Sequence, residues 1–140
     1  HTLNHRFHEK HYPKGKLIEE YTEFLNEYPK YYRAYFDRAT LYTHVGRYKE
    51  AIADNDKLID HNEWLWMESV INKAEALCLL KEYGLALKCA NRYFELDDKP
   101  EAECYRIRSE IYRKLKMYDE CDSDIRMIRK MEKEKKKRQF

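Results

Sequence analysis

The sequence predicts an all-α chain in which one helical hairpin is written several times over, and three observations carry that prediction. First, Gly46-Arg47-Tyr48-Lys49-Glu50-Ala51-Ile52 marks a tight bend between two helical patterns, and Tyr83 to Leu87 and Tyr118 to Asp122 repeat it. Each copy places a small residue three positions after its Tyr, at Ala51, Ala86 and Cys121, so these stand 35 and 35 residues apart. Second, another small residue, Ala39, Ala74 or Ser109, comes 12 positions earlier, with the larger Tyr42, Leu77 and Tyr112 between them. Small residues on two helices joined by a short turn let the backbones approach, and larger ones fill the space beside the crossing. A fixed period of this size is the mark of stacked supersecondary units. Third, three Gly and three Pro in 140 residues leave room for few, short loops.

The elements follow in order. Residues 1–12 carry His1, His5, His8 and His11 at helical spacing, before Pro13 and Gly15 interrupt. His8 and His11 could share a metal on one helix face. No Asp or Cys joins them at a specific spacing, and His8-Glu9-Lys10-His11 is one residue short of His-Glu-x-x-His, so a solvated or end-capping helix is the preferred reading and no metal or other cofactor is expected. Lys16 to Tyr28 reads as a helix with Leu17, Ile18, Tyr21, Phe24 and Leu25 on one face and Pro29 as its stop. Tyr31 to Val45 with Tyr48 to Asp60, and Trp64 to Lys81 with Tyr83 to Leu96, form two hairpins, the second capped by Asn62. Trp64 and Trp66 are expected to staple neighbouring units. Asp98-Lys99-Pro100-Glu101 is a start signal for Glu101 to Leu115, and Tyr118 to about Lys137 is a last helix whose far half is charged and exposed.

Composition narrows the function classes. With 43% hydrophobic and 39% charged residues, the chain suits one domain with a thin core. Cys78, Cys89, Cys104 and Cys121 show no Cys-x-x-Cys spacing, Cys121 reads as a core residue, and reduced thiols point to an intracellular, cytoplasmic or nuclear setting. No apolar run approaches a membrane span and no signal-peptide pattern opens the chain. Residues 129–138 carry +5 of charge, which leaves −3 for the rest. Catalysis finds no support: the chain has no Gly-rich phosphate loop, nucleophile elbow or preorganised His-Cys pair.

These phrases, Asp37-Arg38-Ala39-Thr40-Leu41-Tyr42 with Gly46 to Ile52, Asn72-Lys73-Ala74 with Tyr83 to Leu87, and Ile107-Arg108-Ser109 with Tyr118 to Cys121, resemble the tetratricopeptide repeat family. The departures are the absent early Trp, Asn55 at a position where a bulky residue is common, and Lys116 in place of the turn Gly. The resemblance implies a right-handed α-α superhelix and the following division: 1–14 a degenerate half-repeat, 15–31 a helix of a partial repeat, 32–66, 67–101 and 102–130 three repeats, and 131–140 a basic helical extension.

The resemblance further implies an adaptor that holds a protein or peptide in a concave groove lined by the first helix of each repeat. The groove positions fall on Arg33, Phe36, Asp37, Thr40, Thr43 and His44 in the first repeat. In the second they fall on Glu68, Ile71, Asn72, Glu75, Cys78 and Leu79, and in the third on Glu103, Arg106, Ile107, Glu110, Arg113 and Lys114. Apolar anchors among acids, with a basic end, suit a partner carrying basic and aromatic or apolar residues. Relatives that grip a heat-shock chaperone's terminal carboxylate need Lys, Arg and Asn at five of these positions. Here they are Phe36, Thr40, Asn72, Glu103 and Ile107, and a frame one unit earlier meets Asp37 and Glu68, so an acidic chaperone tail is disfavoured. Two alternatives stay open: a co-chaperone module with another kind of contact, and binding of nucleic acid or an acidic surface through Lys135, Lys136, Lys137 and Arg138.

Overall fold

The computed structural model describes residues 13–61 and 65–139, so the expectations for the N-terminal histidines, the Asn62 cap and Trp64 lie outside the described residues. Seven helices are described, with no strand among them: α1 Lys14–Glu27, α2 Tyr32–His44, α3 Tyr48–Asp60, α4 Trp66–Leu79, α5 Tyr83–Leu96, α6 Ala102–Lys114 and α7 Tyr118–Arg138. They fall into two compact units, one up to Ser69 and one from Val70 onward.

In the first unit α2 packs against both α1 and α3. Leu17, Ile18, Tyr21 and Leu25 recur at helical spacing and give α1 a single buried face. Ala39 and Ala51, the small residues of this hairpin, are 3% and 0% exposed, which leaves no space for a larger side chain at either place. In the second unit α6 packs against α5 and α7. Ala74 and Ala86 are fully buried, and Ser109 and Cys121 nearly so. The Cys89 thiol of α5 donates to the Val70 carbonyl of α4 at 3.2 Å. Trp66, half-buried, opens α4.

The turns repeat as strictly as the helices. At the end of α2 the Arg47 amide donates to the Tyr42 carbonyl (2.8 Å) and the Gly46 amide to the Thr43 carbonyl (3.2 Å). The same two bonds recur from Glu82 to Leu77 and Lys81 to Cys78 (2.9 Å each), and from Met117 to Tyr112 and Lys116 to Arg113 (2.8 and 3.0 Å). This helix-ending motif needs a left-handed residue at its corner. Gly46 fills it at φ +82°, but Lys81 and Lys116 adopt φ 69° and 62°. Both lysines therefore carry strain that glycine would not.

A second recurring device is an ion pair between the two helices of a hairpin. Arg38 of α2 grips Asp54 of α3 through two bonds of 2.8 and 2.6 Å, and Arg108 of α6 grips Asp124 of α7 through two of 2.9 and 2.8 Å. Aromatic rings flank each guanidinium: Tyr35 and Tyr42 for Arg38, and Phe94 at 3.6 Å for Arg108. In the hairpin between them the equivalent positions hold Lys73 and Cys89.

One expected start signal is not used. Helix α6 begins at Ala102 after Glu101, and no side chain caps it. It is Asp97, rather than Asp98, that organises the approach: its carboxylate accepts from the Lys99 amide at 3.0 Å and from the Tyr93 hydroxyl at 2.6 Å. These bonds hold the Asp97 carboxyl below its usual range.

Candidate functional site

In the first unit, α2 places Arg33, Phe36, Thr40 and His44 at or near the surface, and α4 begins with Glu68 exposed. Arg33 lies over the Phe36 ring at 5.7 Å, and the Thr40 hydroxyl is turned back onto the Phe36 carbonyl at 3.1 Å. Asp37 differs from the expectation of an open acidic groove residue. It is 9% exposed and accepts from Arg33 at 3.2 Å and from the Tyr21 hydroxyl at 3.4 Å. Burial pushes its carboxyl up, with Arg33 and Tyr21 opposing. Asp37 thus ties α2 to α1, and its charge is spent inside the unit.

The second unit brings its share of the expected residues together. Glu75, Cys78 and Leu79 at the end of α4 and Glu103, Arg106, Ile107 and Glu110 along α6 enclose a pocket of about 150 Å³. The helical spacing explains the set: residues three and four apart share one face of each helix. Leu79 is 46% exposed and offers apolar surface to solvent, while Cys78 and Ile107 form the floor at 8% each. Burial, reinforced by the charge of Glu103, pushes the Glu75 carboxyl above its usual range. Arg113 binds Glu110 at 3.0 Å and holds that carboxyl low. Arg106 is shared, reaching Glu103 at 3.0 Å and Glu132 of α7 at 3.3 Å. Ile71, expected to face a partner, is buried instead at 6% exposure; Asn72 is half-buried and Lys114 is exposed.

Lys135, Lys136, Lys137 and Arg138 are all exposed on the last turns of α7. Lys135 and Arg138 border a wider, open cleft whose other side includes Glu101, Ala102 and Glu103 at the start of α6. The contact from Glu132 to Arg106 spans 26 positions and has no counterpart in the repeat pattern, so nothing in the sequence pointed to it. Thiol chemistry is not favoured here, since burial pushes Cys78, Cys104 and Cys121 up and keeps them protonated. Among the described residues no group of three or more His, Cys, Asp or Glu could hold a metal ion, and no helix is long and apolar enough to cross a membrane.

Helix pairs that recur at a constant period, each closed by the same corner, define a helical-hairpin repeat protein. Comparison with known proteins sharpens this. A family model described as tetratricopeptide repeat matches residues 20–53. Hsp70-Hsp90 organizing protein 2 of Arabidopsis thaliana is 31% identical over 94 residues, which is 67% of this chain and 16% of that protein. A solved structure of a MamA mutant matches with a TM-score of 0.70 over 85% of this chain and 64% of its own, at 15% identity, a likeness of fold. The chain thus spans only a small part of its curated relative and under two thirds of the solved one. It belongs to the tetratricopeptide repeat family, whose members serve as protein–protein interaction scaffolds.

Proposed function

We propose that this chain is an adaptor that holds a peptide segment of a partner protein on the face formed by the end of α4 and by α6. The observation that carries the reading is the pocket between Leu79 and Ile107, where apolar surface sits among acids on two rigid helices. Such a lining suits a segment with apolar and basic residues. The relative named as an Hsp70-Hsp90 organizing protein makes a chaperone-related role a natural variant. On this chain the acids Glu75 and Glu103 disfavour an acidic chaperone tail at this face, so a co-chaperone role would use another contact. The scaffold carries no chemistry of its own, and a cytoplasmic or nuclear setting fits its reduced thiols.

A phage-displayed library of random peptides, selected against the 140-residue chain, tests the reading. Selected peptides are expected to lose binding to Leu79→Glu, a substitution at an exposed site that leaves the helical circular dichroism unchanged. Peptides indifferent to Leu79→Glu would count against this face. The exposed basic end of α7 supports a second reading, attachment to an acidic surface, and removing residues 131–140 separates the two. Peptide binding is expected to survive that truncation, whereas salt-sensitive binding to a polyanion would not.

A further inference from the structure

Building on the reading of this face as a peptide site, we infer that the pocket receives one basic side chain of the partner, with its stem on Leu79 and Ile107 and its cation between Glu75 and Glu103. The pocket is small. At about 150 Å³ it lies well below the ~300–1,000 Å³ typical of small-molecule sites, so it suits a single side chain. Its lining combines apolar and charged groups, as the side chain of lysine or arginine does.

The charges are unevenly settled. Glu110 is answered by Arg113, and Glu103 shares Arg106 with Glu132. Glu75 is different: among the described residues the electrostatic influence on it is the like charge of Glu103, and burial acts in the same direction. A half-buried carboxylate beside a second one, with no cation to relieve it, costs stability in the free protein. A cation from outside would relieve that cost, and groups that sacrifice stability in this way are found where binding uses them. Neither an acidic nor a purely apolar segment would do so.

The experiment uses the peptides selected above that depend on Leu79. Each Lys or Arg is replaced in turn by norleucine, which keeps an apolar stem and removes the charge, and affinities are measured for the natural chain and for Glu75→Gln. One basic position per peptide is expected to cost about tenfold or more against the natural chain and close to nothing against Glu75→Gln. Thermal unfolding at neutral pH should show Glu75→Gln at least as stable as the natural protein, so weaker binding cannot be ascribed to misfolding. Glu103→Gln provides a second variant with the same expected coupling. If norleucine is tolerated everywhere, or its cost is unchanged in both variants, the cation is not read here and the inference falls, while the peptide site stands. Peptides that ignore Leu79 would remove the site itself, and the inference with it.

Discussion

Arg108 and Asp124 show how much a single pair can hold. Their side chains are 18% and 4% exposed, so removing one partner leaves a largely desolvated charge behind. Asp124→Asn is expected to lower stability by about 3 kcal/mol in urea unfolding, whereas Arg108→Met combined with Asp124→Leu should regain most of that loss. Glu75 behaves in the opposite way. Its carboxyl is raised above the ordinary 4.5, so the folded state holds the proton more tightly. The stability linked to it is fully present below pH 4.5 and is lost as pH rises through the folded value. Glu75→Gln should therefore raise the unfolding midpoint at pH 7, and the gain should shrink as the pH falls from the raised folded value toward 4.5. At this scale the sequence was only partly legible. The groove positions implied by the family resemblance include Glu75, Leu79, Glu103, Arg106 and Glu110, which line one pocket, but they also offered Asp37 and Ile71 as accessible. Spacing names a helix face without saying which neighbour covers it; Tyr21 of α1 satisfies Asp37, and burial closes off Ile71.

The helices and their turns were the most legible part of the chain. Small residues at a period of 35 located the bend inside each of the three hairpins, because a close helix crossing admits few side chains larger than alanine. Ala86→Leu, at a position with no exposure, is expected to destabilise by about 1–3 kcal/mol, whereas Leu85→Ala next to it, 56% exposed, should change little. The corners carry a further prediction. Lys81 and Lys116 stand at the position Gly46 occupies, with φ 69° and 62°. Lys81→Gly and Lys116→Gly should each raise stability by about 0.5–1 kcal/mol in chemical denaturation, since glycine relieves left-handed strain that exceeds its own entropy cost. Gly84 drew attention as part of a repeated phrase, yet it lies inside α5 and no neighbouring atom comes within 4 Å of where its Cβ would be. The corner of this hairpin is made by Lys81, three residues earlier. The start of α6 falls within one residue of the expected Glu101, but its acidic cap was misread: the Tyr93 hydroxyl and the Lys99 amide engage Asp97, not Asp98.

For the molecule as a whole, the same hairpin is built three times from the same devices. The first helix of each hairpin is held by its partner through buried small residues, a repeated corner and, in two hairpins, an Arg–Asp clasp, which leaves the remaining face of α6 and the end of α4 to line the pocket of the proposed peptide site. Charge is segregated along the chain, with +5 in residues 129–138 against −3 elsewhere, so electrolyte should affect the tail and the pocket in different ways. The most direct test is amide chemical-shift mapping of the isotopically labelled chain titrated with a selected peptide. The account predicts shifts concentrated at residues 75–79 and 103–110, retained when residues 131–140 are removed. Shifts confined to the basic end of α7, or scattered without regard to the pocket, would contradict it.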